Sequence, residues 1–285
     1  MASDMSTKDL SHEVSLTAKS PFELRVNLGS HIPETDVRAA VASGDIGFMH
    51  SFTTGSTVDG PGVRLVAWLT GCQFRCLYCH NPDTWTLTNG IPVPVARATD
   101  QLRKYHHGLK AMRGGLTISG GEPLMQHKFV LKLFAAARSM GIHTALDTNG
   151  CLGDRLTDAD LQNIDLVLLD IKCWDEARHR QLTGAEIGPV LDFARRLSVL
   201  KRPVWLRYVL VPGLTDDPAD IDHLAEFAAS LGNVERVDVL PFHQMGAHKW
   251  KQLGIEYKLQ DLEPPPQKLV DLVCTSFRAA GLVAH

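Results

Sequence analysis

Cys72, Cys76 and Cys79 share one short loop, spaced Cys-x3-Cys-x2-Cys, directly after an apolar run over residues 63–69. Three thiolates this close together can hold an iron–sulfur cluster. A four-iron cubane with only three protein ligands leaves one iron open, by the same logic that leaves an open position on a catalytic zinc. An open iron can bind a substrate or cofactor, so the loop reads as a reaction centre rather than an electron relay.

Plainer readings compete for the same residues. A structural zinc site tolerates the spacing but wants four ligands, so His80 or a distant residue would have to complete it. Residues 76–80 also match the Cys-x-x-Cys-His pattern of c-type haem attachment, which leaves Cys72 unexplained. A disulfide with one free thiol fits poorly in a chain with no sign of secretion. The other cysteines, Cys151, Cys173 and Cys274, are isolated and read as small, reduced, partly buried side chains.

The loop needs a scaffold, and the sequence supplies one. Apolar runs at 63–69, 116–118, 144–146, 166–169, 204–211 and 237–240 alternate with amphipathic helical stretches. This alternation is the signature of a parallel α/β sheet. The helical stretches include 129–140, where Phe129, Leu133 and Ala137 share a face, and 219–231, with Ile221, Leu224, Ala228 and Leu231 in step. Gly141 and Gly232 sit where left-handed caps would stop them. A triple proline, 264–266, precedes a last helix near 268–280. Six β-α units are too few for an eight-stranded barrel. The expected fold is therefore α/β, an open partial (β/α)6 barrel over residues 47–285. An N-terminal extension, 1–46, is expected to be partly disordered, with a short helix at 36–43.

In parallel barrels, chemistry collects at the C-terminal ends of the strands. The polar motifs of this chain fall there. Ser119-Gly120-Gly121-Glu122 follows the second run and Asp147-Thr148-Asn149-Gly150 the third. Asp170 and Lys172 end the fourth, Arg207 lies within the fifth, and His243 follows the sixth. Each is weak evidence alone: a Gly-Gly pair is often only a turn, and an Asp at a strand end is often a helix cap. Their coincidence on one rim points to a site. No Ser-His-Asp order and no Gly-x4-Gly-Lys-Ser/Thr phosphate loop appears.

Composition bounds the rest. The chain has 285 residues, 44% of them hydrophobic and 21% charged, with 32 acidic against 29 basic side chains and a net charge of −3. That balance offers no broad surface for nucleic acid or anionic membrane. No apolar run approaches the roughly 20 residues needed to span a bilayer. The first ten residues lack the apolar core of a signal peptide, so a cytoplasmic, reducing location is expected.

The cysteine motif, with Tyr78 before its last cysteine and a Gly-Gly-Glu motif downstream, resembles the radical S-adenosylmethionine (SAM) superfamily. The wider text is closer still to the family of pyruvate formate-lyase activases. That resemblance rests on residues 55–64, 76–81, 146–150, 169–172, 207–213 and 248–250, and extends from about Gly47 to the C-terminus. It implies a [4Fe-4S] cluster on Cys72, Cys76 and Cys79 that chelates SAM through its open iron. One electron would cleave the sulfonium carbon–sulfur bond to give methionine and a 5′-deoxyadenosyl radical. That radical would take a Cα hydrogen from a glycine of pyruvate formate-lyase.

By the same resemblance, Tyr78, His80, Gly121, Asp170, Lys172 and His243 would hold SAM. Asp147, Thr148 and Asp170 would hold a monovalent cation, Na+ or K+. Asp59 and Arg207 would meet the glycine-bearing peptide. Flavodoxin is the implied electron donor and a monomer the implied state. Two departures stand out: the extension of roughly 46 residues, and Leu168 where a methionine is usual. No cysteine falls between Cys79 and Cys151, so no auxiliary cluster is expected. The rival readings are an activase of another glycyl radical enzyme and a zinc-stabilised binding module without radical chemistry.

Overall fold

A computed structural model of the chain describes residues 34–285. Most of the expected extension, residues 1–33, lies outside the described residues. Its short helix is present as α1 (Glu34–Ser43).

One sheet runs through the molecule. Its strands are β1 (Ile46–Ser56), β2 (Arg64–Leu69), β3 (Ile91–Pro94), β4 (Gly115–Gly120), β5 (His143–Thr148), β6 (Leu166–Asp170), β7 (Val204–Leu210) and β8 (Val234–Pro241). They lie in the order β3-β1-β2-β4-β5-β6-β7-β8. The six strands from β2 to β8, leaving out β3, pair in parallel and correspond to the six apolar runs. β1 and β3 are additions to the expected pattern: β1 pairs antiparallel with β2, and β3 antiparallel with β1.

The sheet does not close, so the barrel is open and partial. At its far edge, residues 283–285 lie along β8, with Val237 N donating to Val283 O at 2.8 Å and His285 N to Val237 O at 3.0 Å. The chain end thus covers backbone groups that an open edge would leave unpaired.

The helices are α2 (Val95–Ala111), α3 (His127–Ser139), α4 (Asp158–Gln162), α5 (Glu176–Thr183), α6 (Gly188–Val199), α7 (Pro218–Leu231), α8 (Ala247–Gln252) and α9 (Gln267–Ala279). Their apolar stripes face inward: α3 buries Phe129, Val130, Leu133, Phe134 and Ala137, and α9 buries Val270, Val273, Cys274 and Phe277. None of the described helices is long and apolar enough to cross a membrane.

Successive residues of a strand point to opposite faces, and this period of two sorts the sheet. Leu116, Ile118, Leu146, Val167, Leu169 and Leu206 join the large core under the helices. Ala145, Leu166 and Leu168, with Trp205 against them, form a small separate cluster on the other face. That inner face turns polar towards the strand ends, where the same alternation carries Ser119, Asp147, Asp170 and Arg207. The sheet therefore aims four polar side chains into the barrel without breaking its core. At the other end of the strands, the fully buried Arg64 donates to Thr117 Oγ1 at 2.9 Å and Leu116 O at 2.7 Å, fastening the start of β2 to β4.

Candidate active site at the strand ends

The cysteine loop leaves β2 and is pinned from three sides by its own backbone. Gly71 N donates to Thr84 O at 2.7 Å and Cys72 N to Trp85 O at 3.1 Å, tying the loop to the segment that follows it. Arg75 N and Leu77 N donate to Thr183 O and Leu182 O at the end of α5. Glu122 N donates to Gly71 O at 2.7 Å. This last contact needs both glycines at the end of β4. Gly120 takes φ 125°, and a Cβ there would stand 2.2 Å from the Leu69 backbone. A Cβ on Gly121 would stand 2.4 Å from Gly71 O. The Gly-Gly pair is more than a turn, because it lets two loop backbones touch.

Burial pushes all three thiols up from their usual range, Cys76 to about 12. Such thiols are poor nucleophiles but good soft donors once a metal takes the place of the proton. The side chains proposed to flank them converge on the same rim. Tyr78 is buried, with the Lys172 ammonium 5.7 Å from its ring centre. Lys172 pairs with Asp170 at 2.8 Å. Burial alone would depress that ammonium, but the Asp170 carboxylate reverses the effect and holds it well above the ordinary lysine range. His80 stacks on His243 with ring centres 4.1 Å apart, and the His80 Nε2 lies 3.2 Å from His243 O. Burial, followed by the His243 charge, lowers the His80 pKa.

Deeper in the barrel, Arg207 donates to Asp59 at 2.9 Å and to Asp147 at 3.1 Å. Asp147 also accepts from Ser119 Oγ at 2.5 Å. Burial raises the Asp147 pKa, against the pull of Arg207. The Thr148 hydroxyl donates to Glu122 Oε1 at 2.7 Å, so its proton points away from the Asp147 and Asp170 carboxylates. The residues singled out from the sequence lie in the cysteine loop and at the ends of β4, β5, β6 and β8, with Asp59 and Arg207 paired beside them, while the Thr148 side chain stands on the face opposite Asp147 and is taken up by Glu122.

Sequence reasoning left several members of the site without a role. Glu122 is fully buried and accepts from Leu124 N at 2.9 Å, Asn149 N at 2.8 Å and Thr148, joining the loops after β4 and β5. Burial pushes its carboxyl up to about 7, against the pull of those donors. Gln73 Nε2 donates to Asn149 Oδ1 at 3.0 Å. Trp250 Nε1 donates to Cys79 O at 2.8 Å. Glu122, Asn149 and Trp250 stand inside the motifs quoted above, which was the only signal available; Gln73 had only its place between two of the cysteines.

The donor set fits an iron–sulfur cluster with a bound polar molecule. Three thiols offer themselves from one loop, and His80, next in the chain after Cys79, has its Nε2 3.2 Å from the His243 carbonyl. Among the described residues no three His, Cys, Asp or Glu side chains converge on one ion. Tyr78 OH, Asp147 Oδ1 and Arg207 Nε are buried with no partner among the described residues. A polar ligand reaching any of these atoms would supply what burial otherwise withholds.

Comparison with known proteins agrees with this geometry. Residues 66–228 match the Radical SAM superfamily. The chain is 46% identical over 231 residues to the pyruvate formate-lyase-activating enzyme of Staphylococcus epidermidis, covering 79% of this chain and 92% of that protein. A crystal structure of a domain of pyruvate-formate lyase-activating enzyme from Bacteroides vulgatus superposes with a TM-score of 0.51 at 26% identity, covering 60% of this chain and 98% of that one. A radical SAM methyltransferase from Sphaerobacter thermophilus shares the fold, with a TM-score of 0.56 at 17% identity over 89% of this chain and 81% of its own. On its thiol loop, its open parallel sheet and these matches, the chain belongs to the radical SAM superfamily and, within it, to the family of pyruvate formate-lyase-activating enzymes.

Proposed function

We propose that this chain activates pyruvate formate-lyase by installing a glycyl radical in it under anaerobic conditions. The observation that carries this reading is the convergence of the Cys72–Cys76–Cys79 loop, the Gly120-Gly121 contact and the Asp170–Lys172 pair on one rim of an open sheet. A [4Fe-4S] cluster, when bound, supplies the electron that cleaves SAM to methionine and a 5′-deoxyadenosyl radical, the species that removes the glycine hydrogen.

The protein's own residues do the positioning. Cys72, Cys76 and Cys79 would hold the cluster. Gly121 would present backbone to the SAM amine, and Lys172 a charge to its carboxylate. Tyr78 and the stacked His80–His243 pair would flank the adenine, with Asp170 at the ribose. Asp147, Thr148 and Asp170 would hold a monovalent cation. Asp59 and Arg207, paired inside the barrel, would meet the peptide that carries the glycine. Hydrogen-atom transfer needs no protein base, in keeping with a site built from charge pairs and stacked rings.

Residues 47–285 act as the catalytic unit and 1–46 as an extension. The chain works as a monomer in the cytoplasm and takes its electron from flavodoxin. The test is anaerobic reconstitution with iron and sulfide, then reduction by dithionite with SAM and purified pyruvate formate-lyase. A glycine-centred doublet in the electron paramagnetic resonance (EPR) spectrum, absent in Cys76→Ala, is the expected result. SAM cleavage without a doublet would move the target to another glycyl radical enzyme. A protein that takes up zinc and no iron would overturn the radical reading.

A further inference from the structure

We propose that Asn149 sets the reduction potential of the cluster by donating its side-chain amide hydrogen to the Cys72 sulfur. The inference rests on Cys72 being a cluster ligand. Asn149 Nδ2 stands 4.0 Å from Cys72 Sγ, within reach of an N–H···S hydrogen bond. An amide can be turned either way, but here its orientation is forced. Asn149 Oδ1 accepts from the backbone N of Cys151 at 3.1 Å, a donor that cannot be reversed, and from Gln73 Nε2 at 3.0 Å. The oxygen is committed, so the NH2 group faces the sulfur.

The backbone carrying this amide is held equally firmly. Asn149 N donates to Glu122 Oε2 at 2.8 Å, and Gly150 N donates to Thr148 Oγ1 at 3.0 Å. Asn149 itself is 6% exposed. The loops after β2, β4 and β5 therefore share one network, and its Asn149 amide hydrogens are aimed at a cluster ligand. Outer partners of this kind orient metal ligands and tune the metal. Hydrogen bonds to cluster sulfurs are among the factors that set iron–sulfur potentials. A one-electron reduction adds negative charge that spreads onto the thiolates. An N–H pointing at one of them stabilises the reduced form more than the oxidised form and raises the potential.

Asn149→Asp is the sharpest variant, because it keeps the acceptor for Cys151 N and Gln73 while removing the donor. Asn149→Ala removes the donor without adding charge. Full-length wild type and both variants are reconstituted anaerobically, assayed for iron and sulfide, and titrated with dithionite and mediator dyes while EPR follows the reduced cluster. With full cluster content, the ratio of reduced to oxidised cluster at a fixed poise should fall about tenfold in Asn149→Ala, equivalent to about 59 mV for one electron. It should fall further in Asn149→Asp. An unchanged potential in both variants overturns the proposal. So does a fall in the Asp variant alone, which would report charge rather than the hydrogen bond. Wild type that takes up no iron and sulfide would overturn the cluster and this proposal with it, whereas a loaded wild type with unchanged variants overturns the role of Asn149 alone.

Discussion

Trp250 donates its indole N–H to the carbonyl of Cys79 at 2.8 Å, joining the segment after the last strand to the last cysteine of the first loop. The sheet is open, so its first and last parallel strands have no direct pairing to hold their loops in register. This contact does it from above, and neighbours reinforce it. Lys249 Nζ reaches Asn81 at 2.8 Å and Asp83 at 3.0 Å, while Gly246 lies against the His80 backbone so closely that a Cβ would stand 2.6 Å from its Cα. Trp250 also packs edge-on to Trp85 and tilted on Tyr257, both with centroids at 5.1 Å.

Trp250→Phe should therefore lose one hydrogen bond to a part-buried carbonyl, about 1 kcal/mol. Trp250→Ala should lose the packing as well, about 3–5 kcal/mol. Urea unfolding reads both, and iron content after anaerobic reconstitution should fall in the same order. An alanine variant as stable as wild type would show that the closure is held elsewhere.

Arg207 is shared between two carboxylates, and all three side chains are only about a tenth exposed. Arg207→Ala leaves Asp59 and Asp147 buried without their cation, at a cost of about 3–5 kcal/mol. Arg207→Lys keeps the charge but not the fork that reaches both partners, so it should recover only part of the loss. Full recovery by lysine in a urea titration would sink the bridging account.

The parallel strands were legible because their buried stretches read as short apolar runs, even though β7 alternates buried and half-buried positions and β8 is buried only in its middle. β1 was not: Ile46–Ser56 mixes apolar residues with His50, serines, threonines and glycines, and only its first half is well buried. β3 is four residues long and contains Pro92 and Pro94, which only an edge strand tolerates. The site divides the same way. Cysteines, glycines and charges at strand ends announce themselves by residue type and place. The Glu122–Asn149–Gln73 network does not, because its partners lie 27 and 76 residues apart and meet only when three loops have been set side by side.

Asp83 should leave a mark on acid stability. Burial would raise its pKa, but hydrogen bonds from His50 and Lys249 outweigh that and bring it down to about 2. A carboxylate depressed in the folded state contributes stability that is fully present above its unfolded pKa, near 4, and is lost as pH falls through about 2. Asp83→Asn should be about 1 kcal/mol less stable at neutral pH, given a partly exposed pair. The gap between variant and wild type should close between about pH 4 and pH 2. Unfolding midpoints measured across that range decide it; a gap that stays constant would assign the loss to packing.

Gly121→Ala tests the contact that brings the Gly-Gly loop at the end of β4 against the cysteine loop. The new Cβ would stand 2.4 Å from Gly71 O and 3.1 Å from Thr84 O, both backbone atoms that cannot swing away as a side chain would. The two loops must part by the better part of an ångström, breaking the 2.7 Å bond from Glu122 N to Gly71 O. The rest of the sheet is not involved, so the secondary structure seen by circular dichroism should be unchanged. SAM affinity, measured anaerobically on reconstituted protein, should fall at least tenfold, about 1.4 kcal/mol. Wild-type affinity in this variant would mean that the close approach of the two backbones is a feature of packing alone, and that SAM is oriented by the charged pair across the rim.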